Sequence, residues 1–306
     1  MILVTGGLGM IGAHTAAALA DGGHEVLVTG HTTTDVPSFL AERVTVERLD
    51  VTDRDAFLAL GRRFAIQDIV HLAGSIPGGD PVAFFRAETS GLMNALDAAL
   101  RWGARRFAVA SSISVYAGDA DSPWTEELSL RTVPPPHPIA AFKKAVEPIV
   151  MNALEGTAVH PVILRIGSTW GPLMDPDSPF NPIPPLVSAL LRNEQPAALY
   201  ADDGSEFGYA PDIGRAIALL ITADELHHDV YNVSNGSRST HRDVAEAVTR
   251  SIPTAKVPVI DGSRDGSADT GYMDIGRLRE ETGFRPAFDI DSAVADYVAW
   301  RRRNAR

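Results

Sequence analysis

Three glycines near the start have the spacing of a phosphate cradle. Ile2-Leu3-Val4 runs into Thr5-Gly6-Gly7-Leu8-Gly9-Met10-Ile11-Gly12, and a helix-like segment follows. Glycines at 6, 9 and 12 supply a tight turn, close backbone approach to a pyrophosphate and tight helix–sheet packing. The N-terminus of the helix then offers free N–H groups and a positive dipole end to the phosphates. A glycine triplet alone is a weak signal, since glycines also serve simply to turn a chain. Here it lies between a strand and a helix, the context that gives it meaning, so Gly6, Gly9, Met10, Ile11 and Gly12 are candidates for holding a dinucleotide.

The end of the next strand bears on which dinucleotide. Folds that prefer NAD place an acidic residue there to accept hydrogen bonds from the adenosine ribose. Val26-Leu27-Val28-Thr29 instead ends at Gly30-His31, followed by Thr32-Thr33-Thr34. With no carboxylate to repel a 2′-phosphate, and with His31, Thr32 and their neighbours able to donate to one, NADP is favoured over NAD. The loop lacks an arginine, the stronger phosphate clamp, and also reads as a polar solvated loop with little preference.

Positioning these groups requires alternating strands and helices. Short β-branched or apolar runs at 2–4, 25–28, 44–47, 68–72 and 106–110 are strand-like, and 14–21, 53–63 and 81–101 are helix-length. The alternation predicts an α/β fold: a Rossmann-type, doubly wound parallel sheet with helices on both faces and right-handed crossovers. Beyond about residue 167 the texture changes. Residues 171–185 are proline-crowded and read as an irregular loop, 261–269 as a Gly-, Ser- and Asp-rich surface loop, and 186–192, 212–222 and 242–251 as helices. The division expected is 1–166 for the dinucleotide-binding core, and 167–306 mainly for a smaller, loop-rich substrate-binding part with segments returning to the core.

Composition narrows the function. The chain has 306 residues, 45% of them apolar, enough for a sizeable core. A net charge of −12 repels phosphate backbones and anionic membrane surfaces, so nucleic acid and membrane are not expected partners. Without cysteine there are no disulfides, thiolate metal sites or cysteine nucleophiles, and no metal is expected. No run of about 20 apolar residues spans a bilayer, and Ile2-Leu3-Val4 has no basic segment before it, so a cytoplasmic protein is the expectation.

Along nearly its whole length the chain resembles the extended short-chain dehydrogenase/reductase family, which includes NAD-dependent epimerases and dehydratases of nucleotide sugars. Thr-Gly-x-x-Gly-x-x-Gly carries the resemblance, with Asp50-Val51, His71-Leu72-Ala73-Gly74, Ser111-Ser112-Ile113-Ser114-Val115-Tyr116, Leu164-Arg165, Trp170-Gly171-Pro172, Tyr231-Asn232-Val233 and Gly283-Phe284-Arg285-Pro286. It implies that Asp50 and Val51 contact adenine and that Leu72, Ala73 and Gly74 lie beside the cofactor. It also implies a homodimer through the fourth and the lysine-bearing helices.

The family's redox machinery is a Ser or Thr with Tyr-x-x-x-Lys, the tyrosine serving as acid/base with its pKa lowered by positive charge. Ser112 resembles the serine, although a serine after a strand also reads as a cap for the next turn. The family's glutamate aligns on Glu147, which makes Lys143 the lysine and puts Ile139 in the tyrosine's place. Lys143 retains the ability to bond the nicotinamide ribose. Tyr116 is the substitute acid considered, although it also reads as a packed aromatic. Glu88, where the family has asparagine, reads as a base or as a solvated carboxylate. Ser75, His137, Ser168, Asn181 and Tyr209 are candidates for the substrate cleft, with packing or loop roles as alternatives for His137 and Tyr209. Ser205 replaces the arginine that grips a nucleotide diphosphate, which weakens the case for a nucleotide-sugar substrate. Three functions remain open: an NAD(P)-dependent enzyme of the epimerase, dehydratase or reductase type, acting on a small hydroxylated or carbonyl substrate with a non-standard acid/base; a cofactor-binding enzyme of non-redox chemistry; and a non-catalytic NAD(P)-sensing protein.

Overall fold

The computed structural model describes residues 1–32, 35–118, 122–131, 135–265 and 271–306. Thr33, Thr34, Pro134 and residues 266–269 of the expected surface loop, which figure in the sequence analysis, lie outside the described residues.

Seven strands form one parallel sheet: β1 (Ile2–Thr5), β2 (Val26–Gly30), β3 (Thr45–Arg48), β4 (Asp68–His71), β5 (Arg106–Ser112), β6 (His160–Ile166) and, from much later in the chain, β11 (Val230–Val233). Their order across the sheet is β11-β6-β5-β4-β1-β2-β3, so the strand order reverses between β1 and β4 and opens a crevice at the carboxyl ends there. Three two-stranded ribbons lie beyond it, pairing β7 (Thr169–Trp170) with β10 (Gly208–Tyr209), β9 (Gly204–Ser205) with β12 (Ser239–Thr240), and β8 (Leu199–Tyr200) with β13 (Val259–Ile260).

The inner strands are largely apolar because both faces are covered, while the edge strand β3 is mostly exposed and polar. Ile2, Val4, Val26, Val28, Val70, Val162 and Leu164 pack into one layer, against α1 (Met10–Asp21) and, from the C-terminal half, α6 (Ala210–Thr222). Their strand neighbours Leu3, Leu27, Ile69 and Ile163 pack into the other, against α2 (Arg54–Arg63), α3 (Pro81–Trp102) and α4 (Pro138–Leu154). A third apolar cluster, with Trp170, Leu186, Val248 and Tyr297 at its centre, joins α5 (Ile183–Leu191), α7 (His241–Ser251) and α9 (Ile290–Arg301), while the short α8 (Gly276–Thr282) places Leu278 in the first layer. Among the described residues no helix is long and apolar enough to cross a membrane.

Local chemistry sets the ends of these elements. Asp53 accepts from Ala56 N–H and starts α2; Asp80 accepts from Val82 and Ala83 N–H and starts α3. α1 begins four residues before the predicted 14, because the glycine turn leads directly into it. Residues 171–185 are not wholly irregular. Proline suits the first helical turn, where an N–H has no helical partner, so α5 starts at Ile183, with Pro184 and Pro185 near its N-terminus.

One buried ion pair ties the sheet to α4. Glu147 Oε2 accepts from Arg165 Nη2 at 2.8 Å and Oε1 from Arg165 Nε at 3.0 Å; Ser111 Oγ donates to the same Oε1 at 2.6 Å. Both residues are buried, so removing one partner strands a charge without solvent. Glu147→Ala is expected to lower stability by about 3–5 kcal/mol, measured as a lower urea midpoint with an unchanged slope.

Candidate functional site

The crevice at the strand reversal holds a cavity of about 620 Å³, within the range of cofactor sites. Gly6, with φ of +66°, is in the left-handed region, and a Cβ there would come within 2.9 Å of Ala73 Cα and N. At Gly12 a Cβ would meet Gly6 O at 2.3 Å. Gly9 differs, being extended at the N-cap of α1, where a Cβ would have nothing nearer than Gly6 O at 3.3 Å. The backbone thus leaves beside the helix terminus the space that a pyrophosphate needs. Gly6 and Gly9 line the cavity. Met10 and Ile11 pack partly into apolar clusters instead, and Gly12 acts by close packing.

Asp50 and His31 lie at one end of the cavity. Asp50 Oδ1 accepts from Thr52 N–H at 2.9 Å and Thr52 Oγ1 at 2.8 Å, which holds its carboxyl below the usual range, and Oδ2 stands 3.7 Å from His31 Nε2. His31, Thr32 and Val51 share this end. A carboxylate is therefore present where the strand end itself lacks one. Val51 also sits against Gly91 of α3, where a Cβ would approach its Cγ2 to 2.9 Å.

The other end is formed by residues 71–75 and by Ala87 and Glu88 of α3. His71 is buried and shares a 2.8 Å hydrogen bond with Thr5 Oγ1; burial, then the charge of Lys143, lowers its pKa to about 3, so it stays neutral. Glu88 Oε1 accepts from Ser75 N–H at 2.8 Å and Ser75 Oγ at 2.9 Å. Lys143, one turn after Ile139 on α4, donates from Nζ to Ala110 O at 2.7 Å. Burial lowers its pKa, and the charge of Glu88 opposes that shift. Ser112 accepts from Ser114 N–H at 3.1 Å and Oγ at 3.0 Å, capping the turn Ile113–Tyr116. Ser112 and Lys143 thus stand together at the end of β5, next to the cavity rather than on its wall. Ile139 is half-buried against the apolar layer.

Three expectations need correction. Tyr116 does not face the crevice: it is 0% exposed, donates to Asn232 Oδ1 at 2.8 Å, accepts from Arg165 Nη1 at 2.8 Å and stacks on Trp124. Burial pushes its pKa up to about 12. Tyr209 is 2% exposed and packs on Trp170 and Phe288, with its hydroxyl donating to Asp296 Oδ2 at 2.5 Å, so its side chain is committed to packing. His137 is exposed but serves as the N-cap of α4, Nδ1 accepting from Ala140 N–H at 3.1 Å. Ser75 is exposed at the rim and Ser168 half-buried after β6. Asn181 is buried: Oδ1 accepts from Ile183 N–H at 3.0 Å, and Nδ2 has no partner among the described residues. Among the described residues no cluster of three or more His, Asp or Glu side chains is disposed to hold a metal ion.

Sequence reasoning missed Glu206. It is fully buried, with Oε2 accepting from Met273 N–H at 2.9 Å and Oε1 so close to Gly167 that a Cβ there would stand 2.0 Å away. Burial raises its pKa from 4.5 to about 7. Its only sequence signal is a carboxylate followed by Phe207-Gly208-Tyr209, and burial depends on distant segments.

Residues 2–234 match the NAD dependent epimerase/dehydratase family, and the chain belongs to it. A dTDP-glucose 4,6-dehydratase from an Actinoplanes species is 26% identical over 326 residues, covering 99% of this chain and 98% of that protein. The UDP-glucose 4-epimerase of Thermus thermophilus, solved in complex with NAD, is 26% identical, with a TM-score of 0.80 and 99% of each chain covered. The Thermotoga maritima UDP-glucose 4-epimerase, solved with UDP-glucose, shares the fold with a TM-score of 0.86 at 20% identity, covering 100% of this chain and 99% of that one. The expected preference for NADP finds no support in these relatives.

Two outcomes are expected. Gly9→Asp places a carboxylate at the glycine turn with one tight contact, 3.3 Å from Gly6 O, so calorimetry should show loss of dinucleotide binding while melting falls by much less than for Gly12→Asp. Between pH 4.5 and about 7 the folded chain keeps a proton on Glu206 that the unfolded chain has released. Stability from this group therefore falls as pH rises through that window, by roughly 3 kcal/mol in all, and levels off above it. Glu206→Gln should remove this component, seen as a flatter dependence of unfolding free energy on pH.

Proposed function

We propose that the protein is an NAD-dependent enzyme of the epimerase/dehydratase type, acting on a small hydroxylated or carbonyl substrate without a tyrosine as its acid/base. The observation that carries this reading is the cavity at the strand reversal, which is lined by Gly6 and Gly9 of the glycine turn, by Asp50 and by Glu88, whose charge acts on the neighbouring Lys143. Gly6 and Gly9 hold the pyrophosphate, Asp50, Val51, His31 and Thr32 the adenosine, and Leu72, Ala73, Gly74 and Lys143 the nicotinamide half. Bound NAD supplies reversible hydride acceptance. NAD is favoured over NADP because the Asp50 carboxylate, 3.7 Å from His31, repels a 2′-phosphate. Ser112 orients the substrate oxygen, while Ile139 offers no proton. Residues 1–166 bind the cofactor, and 167–306 supply most of the substrate side through Ser168 and Asn181. Ser205, in place of a diphosphate-gripping arginine, favours a substrate smaller than the nucleotide sugars named for the relatives. Two copies pair through α3 and α4, a reading supported by exposed Val82, Met93 and Leu100 on α3.

A second reading is non-redox chemistry on the same bound cofactor. The absence of a hydroxyl at Ile139 and the engagement of Tyr116 favour it.

The test is calorimetric titration with the four nicotinamide dinucleotides, followed by rapid-mixing absorbance of the bound nicotinamide with a panel of hydroxylated and carbonyl compounds. NAD is expected to bind most tightly, and Lys143→Met to weaken it about 10- to 100-fold, the worth of a charged hydrogen bond. Tyr116→Phe should keep both binding and turnover while losing about 1–3 kcal/mol of stability, because Asn232 and Arg165 lose a buried partner. Turnover with no transient in the nicotinamide absorbance would establish the second reading. No binding of any dinucleotide to folded protein would remove both.

A further inference from the structure

Glu88 occupies a place with an electrostatic consequence. Asp50 and Glu88 are the carboxylates among the residues lining the cavity, one after β3 and the other on α3. Two donations from Ser75 pin Glu88 Oε1, while Oε2 faces Gly74, where a Cβ would stand 3.2 Å away. Among the described residues Oε2 has no hydrogen-bond partner, so its charge is directed at the cavity. The nearest cation it acts on is Lys143, whose ammonium it stabilises. His71, the other titratable group at this end, is neutral and bonded to Thr5.

We propose that Glu88, held by Ser75, sets how the site discriminates between the two redox forms of the dinucleotide, shifting its relative affinity toward the oxidised one. This rests on the reading that the cavity binds NAD with its nicotinamide half beside residues 71–75. The oxidised ring carries a positive charge and the reduced ring none, and the two forms otherwise present the same groups. Lys143 by itself would give this end a net positive charge and so disfavour the cationic ring. Glu88 cancels that charge. A nearby unit charge in the partly screened interior of a crevice changes the affinity of a charged ring by about tenfold or more and leaves a neutral ring nearly unaffected. The physical result is a cofactor retained in its hydride-accepting form between encounters with substrate.

The experiment titrates NAD⁺ and NADH separately into wild-type protein, Glu88→Gln and Ser75→Ala by calorimetry, with thermal melts alongside. Glutamine keeps the size of the side chain and its acceptor for Ser75 while removing the charge. The expected result is that Glu88→Gln shifts the ratio of NAD⁺ to NADH affinity about tenfold toward NADH, mainly through weaker NAD⁺ binding. Ser75→Ala, which frees the carboxylate to turn away, should shift it the same way by less. Equal gains for both forms in Glu88→Gln would place the carboxylate beside the pyrophosphate and overturn the inference, as would an unchanged ratio in both variants. If wild type binds neither form, the cofactor reading fails first, and this inference fails with it.

Discussion

Arg165 and Glu147 meet in the interior with both charges removed from water, and much of the site's framework depends on that contact. Desolvating two such groups costs several kcal/mol each, so the pair persists only because nearly every remaining polar atom is matched. Glu147 takes a third hydrogen bond from Ser111, and Arg165 spends its other nitrogen on Tyr116 and the Glu126 carbonyl. Tyr116 passes the network to Asn232, which donates to the carbonyls of Trp124 and Asp274. Strands β5, β6 and β11, helix α4 and two loops are thereby locked in one arrangement. Because Ser112 follows Ser111 directly, and Lys143 precedes Glu147 by one helical turn, the network sets where these two side chains stand.

A second constraint acts at the glycine turn. The backbones of residues 6 and 73 approach too closely to admit a side chain at Gly6, and α1 starts so near the turn that Gly12 has no room for one either. The closeness brings the carboxyl ends of β1 and β4 together on either side of the strand reversal, which is how a gap between neighbouring strands becomes a cavity. The same economy recurs where α1 crosses α6, since a Cβ at Gly214 would fall 2.4 Å from the His14 carbonyl carbon. That crossing anchors the C-terminal half on the sheet, and β11 completes the join by pairing with β6.

Between these two rigid borders the electrostatics are uneven. One end of the cavity has a carboxylate beside a histidine, the other a carboxylate acting on a half-buried lysine. His71 could have added a third titrating group, but burial removes it from play near neutral pH. Glu206 shows the same physics with the opposite sign: it is a carboxyl held near neutrality because fully buried surroundings penalise its charge.

What the sequence by itself determined is local. Apolar runs bounded by turn residues located β1 to β5 to within a residue or two. The glycine spacing located the turn between β1 and α1, whereas the helix start at the prolines around 184 was read as irregular loop and emerged only in the fold. The motif resemblance extended this to Asp50, Lys143 and Ser112, since each is placed by its own strand or helix. What only the tertiary structure decided is which side chains remain available for chemistry. Sequence left Tyr116 and Tyr209 open between chemistry and packing, and the fold decides for packing, with their hydroxyls claimed by Asn232 and Asp296, partners 116 and 87 residues away. Glu88 read as a base or as a solvated or salt-bridged carboxylate, and the fold decides that Ser75, 13 residues earlier, holds it while its charge acts on Lys143 of another helix. The physical reason is range. Backbone propensity and turn chemistry act over a few neighbours, whereas desolvation, hydrogen-bond competition and charge act through space, between residues that only the completed fold brings together.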